Sequence, residues 1–121
     1  MISKLGYVDE AEKIIKNLSE RKLLNTNQIR KILSKVSVIY EKAKRKTGNL
    51  TEQEKMDLQV LRAHLIYDSG RDEGVRRFVS EAKLVENIKE IGDSREKLLI
   101  FCGYMEALVA YHKYYLANKS N

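Results

Sequence analysis

The stretch "YMEALVAYHKYY", Tyr104 to Tyr115, places four tyrosines close together in a chain of 121 residues that is 33% charged. Read at helical spacing it carries two apolar stripes rather than one. Leu98, Cys102, Met105, Val109, His112 and Leu116 form the first, and Phe101, Tyr104, Leu108, Tyr111 and Tyr115 form the second beside it. A surface helix needs only one such stripe. An apolar surface this wide fits the central helix of a bundle, or a helix that still has a partner to meet. Either way the fold is helical.

Working outward, the rest of the chain agrees. Proline is absent and there are six glycines, so long helices meet little local opposition. Few segments alternate with period two, and no Asn-Gly or Asp-Gly hairpin signal separates strand-like runs. The sequence predicts an all-α fold, a single compact domain over residues 1–121, built as a bundle of about five to six helices. The first runs from about Val8 to Arg21, with Ala11, Ile14, Ile15 and Leu18 inward. The second is capped by Asn25 or Thr26, with Gln28 completing a capping-box pattern with Asn25, and stops at Gly48. Its expected core face is Ile29, Ile32, Leu33, Val36, Tyr40 and Ala43. A capping box of Thr51 and Glu54 opens the third, which reaches about Ser69 with Leu58, Leu61, Leu65 and Ile66 inward. Short helices over Val75–Ala82 and Leu84–Ile91 turn Val75, Phe78, Val79, Leu84, Ile88 and Ile91 inward. Asp93 is the expected cap of the last helix, Ser94 to about Ala117, and residues 118–121 are expected to fray.

Composition also bounds the chemistry. No apolar run suits a signal peptide or a membrane span, and one cysteine supports no disulfide framework, so a cytoplasmic protein without membrane contact is expected. His64 and His112 lie far apart and fall in no HExxH or CxxC pattern; His112 and Cys102 sit on an apolar stripe, where packing is the simpler role. "SGRDEG" has neither the preceding strand nor the following Lys-Ser/Thr of a phosphate loop. Asp9/Glu10 and Asp72/Glu73 are adjacent pairs that diverge on a helix. The sequence predicts no enzyme, no metal and no cofactor.

Charge is the stronger signal. Residues 1–47 hold 12 Lys/Arg against 5 Asp/Glu, so they carry the whole positive excess of a chain with net charge +6. Projected at 100° per residue, Lys31, Lys35, Lys42 and Lys46 cluster on one flank of the second helix with Arg45 nearby, a line of cations about 20 Å long. Glu41 is the one carboxylate between Arg21 and Lys46. Arg71, Arg76 and Arg77 form a second basic group. Flexible lysines grip phosphates without reading bases, so the expected partner is RNA or DNA held through its backbone. A basic face that merely solvates a helical protein–protein adaptor is the competing reading.

The same stretches resemble a known family. "YMEALVAYHKYY" is similar to the C-terminal signature of the small, all-helical subunit of type III-A CRISPR effector (Csm) complexes. "TNQIRKILSKVSVIY" looks like that family's Thr-x-x-Ile-Arg segment and "YDSGRDEGVRRFV" like its Gly-Arg segment, in family order across roughly residues 26–115. The resemblance implies a scaffold subunit whose copies stack on one another along a ribonucleoprotein filament, beside the backbone and large subunits. Its partners would be guide RNA and target RNA, touched as a duplex without sequence reading, while cleavage belongs to the other subunits. Arg30 and Gly70-Arg71 match family segments. Part of the second tyrosine stripe, Tyr104, Tyr111 and Tyr115, is then expected to meet a neighbouring subunit, as aromatic residues do at interfaces. The other reading makes both stripes intramolecular core.

Overall fold

The computed structural model describes residues 2–21 and 26–120, with side chains over 2–18 and 26–115. Six helices and no strand occur among them: α1 (Tyr7–Arg21), α2 (Thr26–Ala43), α3 (Glu52–Arg71), α4 (Glu73–Glu81), α5 (Leu84–Ile91) and α6 (Arg95–Ser120). The all-α expectation is met. The proposed Asn25 cap lies outside the described residues, as does the side chain of Leu116.

Local chemistry sets the boundaries. The Thr51–Glu54 capping box forms as the sequence predicts: Glu54 N–H donates to Thr51 Oγ1 at 3.2 Å, and Thr51 N–H donates to Glu54 Oε1 at 2.9 Å. α3 does not stop at Ser69. It runs through Gly70 to Asp72, whose N–H closes α3 on Asp68 O and whose Oδ1 accepts Val75 N–H at 2.9 Å to start α4. The α4–α5 corner turns on Lys83 at φ 53°, and two buried side chains satisfy its carbonyls. Asn87 Nδ2 donates to Lys83 O at 2.9 Å, and Tyr104 Oη donates to Ala82 O at 2.9 Å. Ser94, rather than Asp93, caps α6 by accepting Lys97 N–H at 3.2 Å. The helix extends to Ser120.

α6 is the central helix. It packs on α1, α2 and α5, while α3 lies across α2, α4 and α5. Leu98, Cys102 and Met105 of its first stripe and Phe101, Tyr104 and Leu108 of its second are all buried. Both stripes therefore serve the intramolecular core along most of the helix, each large side chain worth roughly 1.5–3 kcal/mol of transfer free energy. His112 is buried on the same helix, and burial pushes the Cys102 thiol up to about 12, as befits a packed group rather than a nucleophile. Two expected core residues are not core. Ile39 takes the place assigned to Tyr40, which is 36% exposed, and Ile66 is 56% exposed because Leu58, Leu61 and Leu65 already complete the inward stripe of α3.

The connection from α2 to α3 is organised by a buried ion pair that no local spacing announces. Arg95, at the first turn of α6, donates from Nη1 and Nη2 to Glu54 Oε2 and Oε1 at 2.7 and 2.8 Å. The same guanidinium donates to the carbonyls of Ala43 (3.0 Å), Gly48 (3.0 Å) and Asn49 (3.2 Å). Ala43 O, past the last i+4 bond of α2, accepts from Lys46 N–H at 3.3 Å and from Arg95, so Arg95 helps cap that helix from 52 residues away. Gly48 then takes φ 80°, open to glycine at no steric cost, and the chain reverses into α3.

Gly103 marks a close approach of α6 and α1. A Cβ built there would stand 2.8 Å from Tyr7 Oη and 2.9 Å from Tyr7 Cζ. Alanine would otherwise favour the helix by about 0.5–1 kcal/mol. Gly103→Ala is therefore expected to lower the thermal midpoint in the native background, yet to stabilise by about that propensity difference when Tyr7 is already Ala. Melting curves of the four proteins check this. An equal effect in both backgrounds would mean that Tyr7 yields without cost.

Candidate nucleic-acid interface

The basic face lies along the seam between α2 and α3, where two shallow grooves share the stripe predicted from α2. Lys31 lines the first, of about 220 Å³, together with Gln28, Asp68, Arg71 and Asp72. Lys35 and Lys42 line the second, of about 300 Å³, with Val38, Asp57, Val60 and His64. Lys31, Lys35 and Lys42 are all exposed, on the side of α2 away from Ile29 and Val36. Arg71 arrives from the end of α3 and joins Lys31, so the two basic groups of the sequence do meet at one point. Its guanidinium lies 5.4 Å from the Tyr67 ring centroid, a cation–π contact that holds the charge near the groove mouth.

Other predicted members separate from this line. α2 ends at Ala43, where Lys46 N–H bonds back to Ala43 O, so the helical projection of Lys46 onto the stripe fails. Lys46 instead lines an open cavity of about 700 Å³ with Lys4, Tyr7 and the start of α6. Arg45 is exposed in the turn beyond the helix. The straight part of the stripe, Lys31 to Lys42, is thus about 16 Å long rather than 20. Arg76 and Arg77 stand on α4, outside both grooves, and both lean on Glu73 at 2.8 and 3.6 Å. Arg30 is exposed, without an ion pair among the described residues.

The facing helix supplies carboxylates that a reading of α2 alone misses. Lys35 Nζ stands 3.9 Å from Asp68, a loose pair with both groups well exposed, worth little in water. Asp72 is engaged by Val75 N–H and by Gln28 Nε2 at 2.5 Å, and these bonds hold its carboxyl below its usual range. On the seam, Lys31 and Lys42 have no ion pair among the described residues, and Lys31, Lys35, Lys42 and Arg71 stand against Asp57, Asp68 and Asp72, a small cationic excess. Hydrophobic Val38 and Val60, 58% and 48% exposed, stand between the lysines.

The tyrosines expected at a subunit contact are placed differently. Tyr104 is 1% exposed and hydrogen-bonded to Ala82 O, and so offers no surface to a neighbour. That assignment is corrected. Tyr111 and Tyr115 are half-buried and stacked at 6.4 Å, and Tyr115 Oη donates to Glu12 Oε2 at 3.1 Å, tying α6 to α1. Tyr114 is the exposed aromatic of that end, at 57%. Among the described residues no group of His, Cys, Asp and Glu is placed to hold a metal ion, and no helix is long and apolar enough to cross a membrane.

The sequence has relatives among known proteins. The family described as Csm2 Type III-A matches residues 4–118. The chain belongs to this family. It is similar to the "CRISPR system Cms protein Csm2" of Mycobacterium tuberculosis (strain ATCC 25618 / H37Rv), 44% identical over 112 residues that cover 89% of this chain and 90% of that protein. The protein of the same description from Streptococcus thermophilus is 44% identical over 115 residues, 91% of each chain. That from Enterococcus italicus is 32% identical over 96 residues, 76% of this chain and 68% of the other. Membership makes the chain a Csm2 small subunit of a type III-A CRISPR complex, as the sequence resemblance implied.

Proposed function

We propose that this subunit is non-catalytic and cytoplasmic, and stacks with copies of itself and with the backbone and large subunits. In that place its α2–α3 seam touches the guide/target RNA duplex without reading sequence. The observation that carries the reading is the row Lys31, Lys35, Lys42 with Arg71 at its end, exposed along one seam and short of counter-charge. Lysine ammonium groups on flexible stems follow phosphates and tolerate any base order. Arg30, Arg45, Lys46, Arg76 and Arg77 are secondary contacts in this reading, and Tyr111 and Tyr115 can meet a neighbour with their half-exposed edges alone. Asp57, Asp68 and Asp72 in the same grooves favour the competing protein-only adaptor.

The two readings differ in salt dependence. A single copy should bind generic RNA weakly, and with about three counterions released, log affinity should fall against log salt with a slope of roughly −2 to −3. Fluorescence anisotropy at several salt concentrations measures it. A flat salt dependence, or no binding at low salt, would leave the adaptor.

A further inference from the structure

The lysine row of α2 has a gap. Lys31 and Lys35 stand about one helical turn apart, but Lys35 and Lys42 are separated by nearly two, about 10 Å at 1.5 Å per residue. Val38, 58% exposed, stands where the next cation of the row would fall. The pairs Gln28–Asp72 and Lys35–Asp68 set α3 antiparallel to α2 along the seam. His64, one turn before Asp68, therefore comes beside Val38, and both line the groove of about 300 Å³ that Lys35 and Lys42 share. The imidazole is exposed, and no hydrogen bond or ion pair holds it among the described residues.

We infer, resting on the RNA reading of this seam, that His64 is a proton-linked phosphate contact that completes the row from the opposite helix. A strand whose phosphates run from Lys35 to Lys42 crosses this groove and brings negative charge to the imidazole. That charge favours the imidazolium, so RNA binding takes up a proton. By reciprocity, a proton already on the ring tightens the binding of RNA. Histidine is the side chain suited to this, because its charge changes between pH 5 and 8.

α2 and α3 alone line the groove, so the charged groups around His64 are few. Lys35 and Lys42 on α2 resist its charging. Asp57 and Asp68 on its own helix favour it, although Asp57 is bonded to Gln53 at 2.9 Å and Asp68 is paired with Lys35. Arg71 lies two turns further along, in the other groove. These influences oppose one another in the free protein, and the arriving phosphate tips the balance. Lysine and aspartate side chains ordinarily keep their charges across this pH range, which leaves the imidazole as the group that responds.

Fluorescence anisotropy with oligouridylate, at one fixed ionic strength and over pH 5.5 to 8, tests the inference. Uracil carries no charge in that range, so the probe itself is constant. Native affinity should rise about fivefold from pH 8 to pH 5.5, the low end of coupling between two sites. His64→Gln should match the native protein at pH 8 and stay flat. His64→Lys should be equally flat, yet bind at pH 8 about as tightly as the native protein does at pH 5.5. His112, buried on α6, is present in all three proteins and cancels in the comparison. Melting curves verify that each variant is folded. A flat native profile, a pH dependence that persists in His64→Gln, or a His64→Lys variant no tighter than native at pH 8 would each overturn the proposal. Binding that falls with salt but ignores pH would overturn it and leave the RNA reading standing, whereas no binding at low salt at any pH would remove both.

Discussion

Glu54→Gln should lower the thermal midpoint by about 10 °C at neutral pH, the largest stability loss expected from a near-isosteric change in this chain. Glu54 is 4% exposed and Arg95 8%, so neither charge has water to fall back on. The carboxylate receives two guanidinium N–H bonds and the N–H of Thr51. Glutamine has the same size but one oxygen, and its NH2 would turn a donor toward Arg95, itself a donor throughout. The guanidinium would keep its three carbonyls and lose the one counter-charge it has among the described residues, and with it the anchor that ends α2 and starts α3.

The loss should depend on pH in a fixed direction. Hydrogen bonding from Arg95, opposed by burial, lowers the Glu54 carboxyl from 4.5 to about 2. A carboxyl depressed on folding contributes stability that is full above its unfolded value and disappears as pH falls through the folded one. The native protein should therefore lose its advantage over Glu54→Gln between about pH 4.5 and 2. Other carboxylates titrate in both proteins and cancel in the difference. Paired melting curves at pH 7 and pH 3 measure the gap, which should narrow in acid. A constant gap would locate the stabilisation in shape rather than charge.

This pair also shows where sequence reading stops. The Thr51–Glu54 box was legible because its partners lie three residues apart, within one helical turn. The same carboxylate meets Arg95 from a distance of 41 residues, and no spacing rule reaches that far. The consequence extends to the candidate site: projection along α2 carried Lys46 onto the stripe because nothing local forbade another turn, whereas Arg95 holds Ala43 O and the helix ends there. Lys31, Lys35 and Lys42 all fall within the helix, Lys42 in its last turn, and lie on the exposed side as the projection has them. The apolar stripes carry a parallel lesson. α3 and α6 both show two stripes at helical spacing, and periodicity cannot say which stripe finds a neighbour. In α6 both are buried because α1, α2 and α5 surround it; in α3 one is left outside. Periodicity alone therefore gives no sign that Tyr104 is core while Tyr111 and Tyr115 keep half-exposed edges.

Changing Lys31, Lys35 and Lys42 together to Glu should reduce RNA affinity by about 100-fold or more at low salt and remove most of the salt slope, by about one unit per lost phosphate contact. The substitution takes the net charge from +6 to zero and sets three carboxylates beside Asp57 and Asp68, so the seam would repel phosphate rather than merely cease to attract it. Folding should survive. All three side chains are exposed, and the one ion pair lost is the 3.9 Å contact of Lys35 with Asp68. Hydrolysis of a phosphodiester needs a positioned metal or an acid/base pair at the reacting phosphate. The seam offers lysines, His64 and carboxylates that are engaged elsewhere or spread along a helix. Rebuilt into a complex, the triple variant is thus expected to retain target RNA less well while cutting it at the native rate once target is saturating. Two measurements separate these effects: target occupancy by filter binding, and single-turnover cleavage at full occupancy. Unchanged affinity in a folded triple variant would remove this face from the RNA-binding surface. A cleavage rate that collapses at full occupancy would instead make the subunit a participant in the chemistry, because at saturation a surface that only holds RNA has nothing left to contribute to the rate.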